Sequence, residues 1–216
     1  MLEQMSEGPA PKYFDELKSY LDFNPEDENA LRELLPFVRP HFQDISAEFY
    51  RRIQLHEGSR QVLRSEQQVM RLRATLERWV ERLLEGPWDE EYYRLRERIG
   101  QVHVQIRLPE HYMFSAVGVI QGHLMQIAEK HLEGGSRMRA ALAVQKITNI
   151  DLAIMQQTYH DDYVASLQRY ERQQKEELEK RLEKTEALHH AILESTSACI
   201  SSSVSNARYG LMASAP

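Results

Sequence analysis

Arg98-Ile99-Gly100-Gln101-Val102-His103-Val104-Gln105-Ile106-Arg107-Leu108-Pro109 reads as the last turns of a helix that a proline ends. Ile99 lies four residues before His103 and Ile106 three after it, so the spacing puts all three on one apolar face. An imidazole on such a face is neutral and its lone pair needs a partner. A core histidine hydrogen-bonded to a carbonyl satisfies that need, and so does a haem iron. These twelve residues leave both readings open, and the rest of the chain decides between them.

Upstream, the pattern is a series of helices. A short one carries Tyr13, Phe14, Leu17, Tyr20 and Leu21 and ends at Asn24. Asn24-Pro25-Glu26-Asp27 starts the next, with a capping side chain, proline at the first position and acids in the first turn. It presents Leu31, Leu34, Leu35 and Val38 and stops near Pro40. A third helix from Phe42 to Leu55 turns Phe42, Ile45, Phe49, Tyr50 and Ile53 inward. Phe49 and Tyr50 are neighbours, about 100° apart on the helix, so both can border one cavity wall.

From Glu66 to Glu85 a longer helix repeats Val69, Leu72, Leu76, Val80 and Leu83. Thr75, beside Leu76, can offer its hydroxyl to a cavity or bond back to its own helix. Gly86-Pro87 breaks this helix and Asp89 caps the next, the one that holds His103. Pro109 opens a helix of about 23 residues with Tyr112, Met113, Ala116, Val119, Ile120, Leu124 and Ile127. Gly134-Gly135 is the clearest turn, with Ser136 as the expected cap of the last helix. That helix carries Met138, Leu142, Ile147, Ile150, Leu152, Ile154, Met155 and Tyr159, apolar over more than one face. Such a helix suggests contact with a partner as well as with its own domain.

Composition sets limits. The 216 residues hold one ordinary domain plus an appendage, and nine Gly with eight Pro are few for that length. The net charge of −6 and the lack of a basic patch argue against nucleic acid as a partner. A single cysteine, Cys199, excludes an intramolecular disulfide and fits a reducing compartment. No signal peptide or membrane-length apolar run is present, so a cytoplasmic, non-membrane protein is expected.

Past Ser166 the chain changes character. Residues 167–186 hold six Lys/Arg and six Glu around little more than Leu178 and Leu182. Glu171–Lys175, Glu176–Lys180 and Glu177–Arg181 are favourable helical pairs. Tyr163, Leu167, Tyr170 and Gln174 keep a 4-3-4 spacing, and Leu178, Leu182, Thr185, His189 and Ile192 a second one. The pattern fits a short coiled coil with a register irregularity, or a solvated single helix. The domain boundaries expected are therefore 1–24 for an N-terminal extension with a short helix (its first eleven residues disordered), 25–165 for the main domain, 166–194 for a charged linker, and 195–216 for a flexible tail. Ala187–Ile200 alternatively begins a further, strand-bearing domain.

This order of helices resembles a globin, and its details resemble the haem domain of the globin-coupled sensors, a family of bacterial gas sensors. The parts that carry the likeness are Phe49-Tyr50, the stripe Val69 to Trp79, and the block in which Ile99, His103, Val104, Ile106, Leu108, Pro109, Tyr112 and Met113 match. The resemblance implies an all-α globin fold binding haem b, non-covalently because no Cys-x-x-Cys-His occurs. It implies that His103 is the proximal iron ligand, that Tyr50 reaches over the distal face, and that Leu72 and Thr75 line the distal pocket. Phe49, Leu76 and Ile99 complete the haem walls, and Tyr112 is the proximal-side tyrosine that responds to ligand state. The chain departs from the family at Arg107, where glycine is common, in having one residue fewer before the proline, and at His111, where tryptophan is common. No distal histidine has an evident counterpart, which leaves Tyr50 and Thr75 to bond a gas such as O2, CO or NO. One hydroxyl donor is worth about 0.5–1.5 kcal/mol net.

The family's architecture implies a homodimer through the helices at 110–132 and 136–165, with a helical linker passing the signal to an output domain such as a histidine kinase or a cyclase. None of these fits within 216 residues, so the chain itself is expected to be a sensor module and not an enzyme. A haem-free globin-like regulator would keep the helices and need neither His103 nor Tyr50. A di-iron bundle requires two Glu-x-x-His motifs, and only Glu186-x-x-His189 occurs. No nucleophile elbow or Cys/His pair supports a hydrolase.

Overall fold

The computed structural model describes residues 10–63 and 65–212 of the chain, and the side chains of 12–63 and 65–196. Eight α-helices and one 3-10 turn account for the described elements, with no strand among them. In order they are α1 (Ala10–Tyr20), α2 (Pro25–Val38), the 3-10 turn Arg39–His41, α3 (Phe42–Leu55), α4 (Glu57–Arg60), α5 (Glu66–Glu85), α6 (Glu90–Gln105), α7 (Glu110–His131) and α8 (Gly134–Met212). None is long and apolar enough to cross a membrane. The expectation of disorder over residues 1–11 falls largely outside the described residues, and Ala10 and Pro11 already belong to α1.

The caps follow from side-chain chemistry. Asn24 accepts the amides of Glu26 and Asp27 while Asp27 accepts the amide of Asn24, so orphan donors are satisfied reciprocally. Asp89 accepts the Tyr92 amide at 3.0 Å and opens α6. Ser65, which the sequence pattern did not single out, does the same for α5 through Gln68. Ser136 is not the cap of α8, because the helix already begins at Gly134. The Ser136 hydroxyl instead accepts from Arg139. Residues 187–200 are helical, so α8 excludes the strand reading of that stretch.

The chain divides into two compact units, residues up to Asp162 and residues from Tyr163. In the first, Leu31, Leu34, Val38, Val80, Leu83, Leu84, Leu124, Val144, Ile147 and Ile150 form one core with 0–1% of their surface exposed. A smaller cluster of Met113, Val117 and Met155 is covered by Ile99, Leu108, Leu152 and Tyr159. Ile99 packs against both clusters. Ile147, Ile150 and Ile154 are fully buried inside their own protomer, which corrects the expectation that they supply surplus apolar surface for a partner. Exposed apolar residues do remain on α7 and on the part of α8 within this first unit, among them Phe114, Met138 and Leu142. In the second unit the described side chains are nearly all solvent-facing. Glu177 pairs with Arg181 at 3.1 Å as its spacing predicts, whereas Lys175 turns forward to Glu179.

Candidate functional site

Four elements supply the residues that the sequence points to: α3, α5, α6 with the turn that follows it, and α7. The α6 terminus is a Schellman cap. The Leu108 amide donates to the His103 carbonyl at 3.0 Å and the Arg107 amide to the Val104 carbonyl at 2.9 Å. Such a cap needs a left-handed residue after the helix, and Arg107 takes it with φ 55. An L side chain in that region costs about 1–2 kcal/mol, which explains why glycine is at home there. The two cap hydrogen bonds offset the cost, so the turn survives the substitution. It ends at Pro109, which precedes α7 with φ −61.

The His103 imidazole is mostly enclosed, and burial pushes its pKa below the usual histidine range. It is therefore neutral at physiological pH, with a lone pair available. Its Nδ1 is buried with no hydrogen-bond partner, so no carbonyl satisfies that nitrogen as an ordinary core histidine would require. A buried, neutral and under-satisfied imidazole flanked by the half-buried Ile99 is the donor that a haem iron needs. The site chemistry fits the group.

On α3, Tyr50 has 7% of its surface exposed and its ring meets Phe49 edge-on at 5.1 Å. Burial raises the Tyr50 phenol well above its usual pKa, while the positive charge of Arg73 on α5 pulls the other way. The phenol stays protonated and remains a donor. Arg73, unremarked in the sequence pattern, has its Nε buried without a partner. Leu72 and Leu76 are half-buried on α5, and Leu76, Phe49 and Ile99 pack on the same core. Thr75 takes the local option: its hydroxyl donates to the Arg71 carbonyl at 3.0 Å and the side chain is exposed. Tyr112 lies over Gly58 of α4, where an added Cβ would come within 2.5 Å of the phenol oxygen. The structure thus joins Tyr50 to Phe49 and sets the Arg73 charge near enough to act on its phenol, while Phe49, Leu76 and Ile99 each pack against the main core. Tyr112 goes to α4, and Thr75 stands apart.

Sequence reasoning missed a buried polar cluster on the same helix as His103. Tyr92, Arg96 and Asp151 have 0–2% of their surface exposed. The Tyr92 hydroxyl donates to Asp151 Oδ1 at 2.5 Å, and Arg96 Nε lies 2.8 Å from Asp151 Oδ2. The Arg96 guanidinium also donates to the Trp79 carbonyl at 3.3 Å and lies over the Trp79 and Tyr92 rings. The available signal was Asp151 itself, an acid among Ile147, Ile150 and Ile154 on an apolar helix. Among the described residues no group of three or more His, Cys, Asp or Glu is arranged to hold a metal ion.

The sequence model of the Protoglobin family matches residues 11–165. Among solved structures, the chain is similar to the globin domain of the Geobacter sulfurreducens globin-coupled sensor, with 26% identity and a TM-score of 0.64 over 67% of this chain and 96% of that one. It is also similar to the globin domain of E. coli DosC in a ferric form, at 19% identity and a TM-score of 0.57, covering 68% of this chain and 99% of that one. A ferrous form of the same domain matches equally well, over 67% and 97%. At 19% identity the shared property is the globin fold.

Proposed function

Because the chain belongs to the Protoglobin family and carries a sensor globin domain, we propose that it is a haem-based sensor of oxygen or a related diatomic gas. The observation that carries this reading is His103, a neutral and enclosed imidazole whose Nδ1 has no partner in the protein. Haem b, when bound, supplies an iron that takes a diatomic ligand at its open position. His103 offers that iron its nitrogen. Leu72, Leu76, Phe49 and Ile99 give apolar walls that exclude water and so slow oxidation. Tyr50, kept protonated by burial, donates a hydrogen bond toward the ligand side. Thr75 contributes only if it releases the Arg71 carbonyl.

In this reading the globin domain spans residues 25–165 after an extension at 1–24, and a charged helical linker at 166–194 leads to a tail at 195–216. Two chains pair through the helices at 110–132 and 136–165, and the linker passes the ligation state to an output module in the cytoplasm. The exposed Phe114, Met138 and Leu142 support that interface. The experiment is an absorbance spectrum of the purified protein in ferric, ferrous and gas-treated forms, beside His103→Ala. One haem per chain in the parent and its loss or weak retention in His103→Ala is the expected result. A fully loaded His103→Ala with an unchanged spectrum overturns the ligand assignment, and a parent without a haem band leaves a haem-free regulator.

A further inference from the structure

The helix that bears His103 is fastened to α8 along its whole length. At its start, Tyr92 and Arg96 hold the buried Asp151 of α8. One turn further, α6 presents Gly100 to α8, where an added Cβ would strike Thr158 Oγ1 and lie 3.1 Å from the Met155 Cα. At its end, the Leu108 amide caps the His103 carbonyl, and the Leu108 carbonyl accepts the Tyr159 hydroxyl at 2.9 Å. The residues on α6 recur every four positions at 92, 96 and 100, and their partners on α8 fall at 151, 155, 158 and 159. Each row therefore follows one helix face.

The three kinds of contact differ in what they resist. Gly100 allows the two backbones to approach, which blocks inward movement but not sliding. Hydrogen bonds and ion pairs have direction, so the Asp151 cluster and the Tyr159 bond resist sliding and rotation. The Asp151 carboxylate is held from two sides, by the Tyr92 hydrogen bond and by an ion pair with Arg96. The Arg96 Nε and Asp151 Oδ2 are close but not aligned as a hydrogen bond, and Arg96 in turn reaches the Trp79 carbonyl of α5. Tyr159 is nearest the ligand, separated from His103 only by the cap hydrogen bond of Leu108.

We propose that Tyr159 and Asp151 are positioning residues for His103: two polar latches on α8 that fix the height and rotation of the proximal helix, so that α8 and the His103 turn move together. This route runs directly from α6 and its terminal turn to α8 and uses no residue of α7. It rests on His103 being the iron ligand for its meaning, but the latch itself is a property of the protein chain.

The test uses the full chain with Tyr159→Phe, Asp151→Asn, and Tyr13→Phe as a control, since the Tyr13 hydroxyl also meets α8 but from α1, at the Ala153 carbonyl. Hydrogen exchange is measured on haem-free protein, and the ferrous iron–histidine stretching band on haem-loaded protein. Tyr159→Phe is expected to speed exchange of the amides at 100–108 by about 2–12-fold, the factor for one net hydrogen bond, leaving α2 and α5 unchanged. It is also expected to shift the iron–histidine band at full haem content. Tyr13→Phe should do neither. Unchanged exchange at 100–108, or a uniform increase over the whole chain, overturns the latch. Localised exchange with an unmoved band in loaded protein overturns the positioning role. Should the parent take up no haem, the sensor reading fails, while the exchange pattern still decides the latch. If Asp151→Asn does not fold, Tyr159→Phe, which keeps the ring and removes one hydroxyl, decides alone.

Discussion

Gly100→Ala sets two effects of opposite sign against each other at the seam between α6 and α8. In an exposed helix interior the change would stabilise by about 1 kcal/mol, because glycine is a poor helix former. Here the new Cβ meets Thr158 Oγ1 and Cγ2 and lies 3.1 Å from the Met155 Cα. Thr158 cannot simply swing aside, since its hydroxyl donates to the Met155 carbonyl at 2.6 Å, a bond worth about 0.5–1.5 kcal/mol. The Met155 Cα is backbone and moves only with α8. Overpacking of this kind costs about 1–3 kcal/mol, and with the Thr158 bond strained as well the steric cost exceeds propensity, for a net loss of up to about 2 kcal/mol. At this chain length each kcal/mol lowers Tm by about 2–4 °C. The assay is denaturant and thermal unfolding of haem-free protein for Gly100→Ala, Thr158→Ala and the pair. Removing Thr158 Oγ1 and Cγ2 should recover part of the loss, with a coupling above about 0.5 kcal/mol. A Gly100→Ala protein as stable as the parent, or more so, would refute the close approach of α6 and α8.

Tyr50→Phe should leave haem content intact and speed oxygen dissociation or autoxidation several-fold, read by stopped flow; unchanged kinetics with a large effect in Thr75→Ala would transfer the donor role to Thr75. Since burial raises the Tyr50 phenol above its ordinary pKa of about 10, its stabilising protonated form persists up to that pH and is lost only above it. Oxygen dissociation should accordingly show no tyrosine-dependent inflection between about pH 7 and 10, and an inflection that disappears in Tyr50→Phe would contradict the burial. Light scattering on residues 1–165 should report a dimer at micromolar concentration, whereas a monomer would place the interface in the linker.

Local signals in the sequence carried far along this chain. Asn24 and Asp89 cap where their side chains and following acids say they should, because capping involves residues two or three positions apart. Gly86-Pro87 ends a helix for an equally local reason, whereas Gly134-Gly135, expected as a turn, already forms the first residues of α8. Arg107 shows the limit of such signals. Its left-handed conformation is imposed by the His103–Leu108 cap and is the reverse of what an arginine prefers. The polar seam was less legible still. Arg96 looks like any charged residue on an amphipathic helix until its partner, Asp151, arrives from a helix two elements later. Thr75 shows the converse: its helical neighbour Arg71 provides an acceptor within reach, and the local bond prevails.

Helix α8 explains why periodicity alone misjudged its surface. An apolar residue on more than one face means that the helix is covered from more than one side, but the pattern does not say by what. Here Ile147, Ile150 and Ile154 are covered within the protomer, in the core that α2, α5 and α7 share. Asp151 sits among them, and an unpaired charge at such a site would be prohibitive, so α6 must supply Arg96 and Tyr92 at that level. Removing one member of such a pair typically costs about 3–5 kcal/mol, whereas exchanging the whole set for well-packed apolar residues is often neutral. Hydrophobic packing alone could therefore hold α6 on α8. What the polar set adds is a fixed register, since apolar surfaces slide and a guanidinium–carboxylate pair does not. Register is the property that burial by itself does not provide, and it is the one that the proposed role of His103 requires.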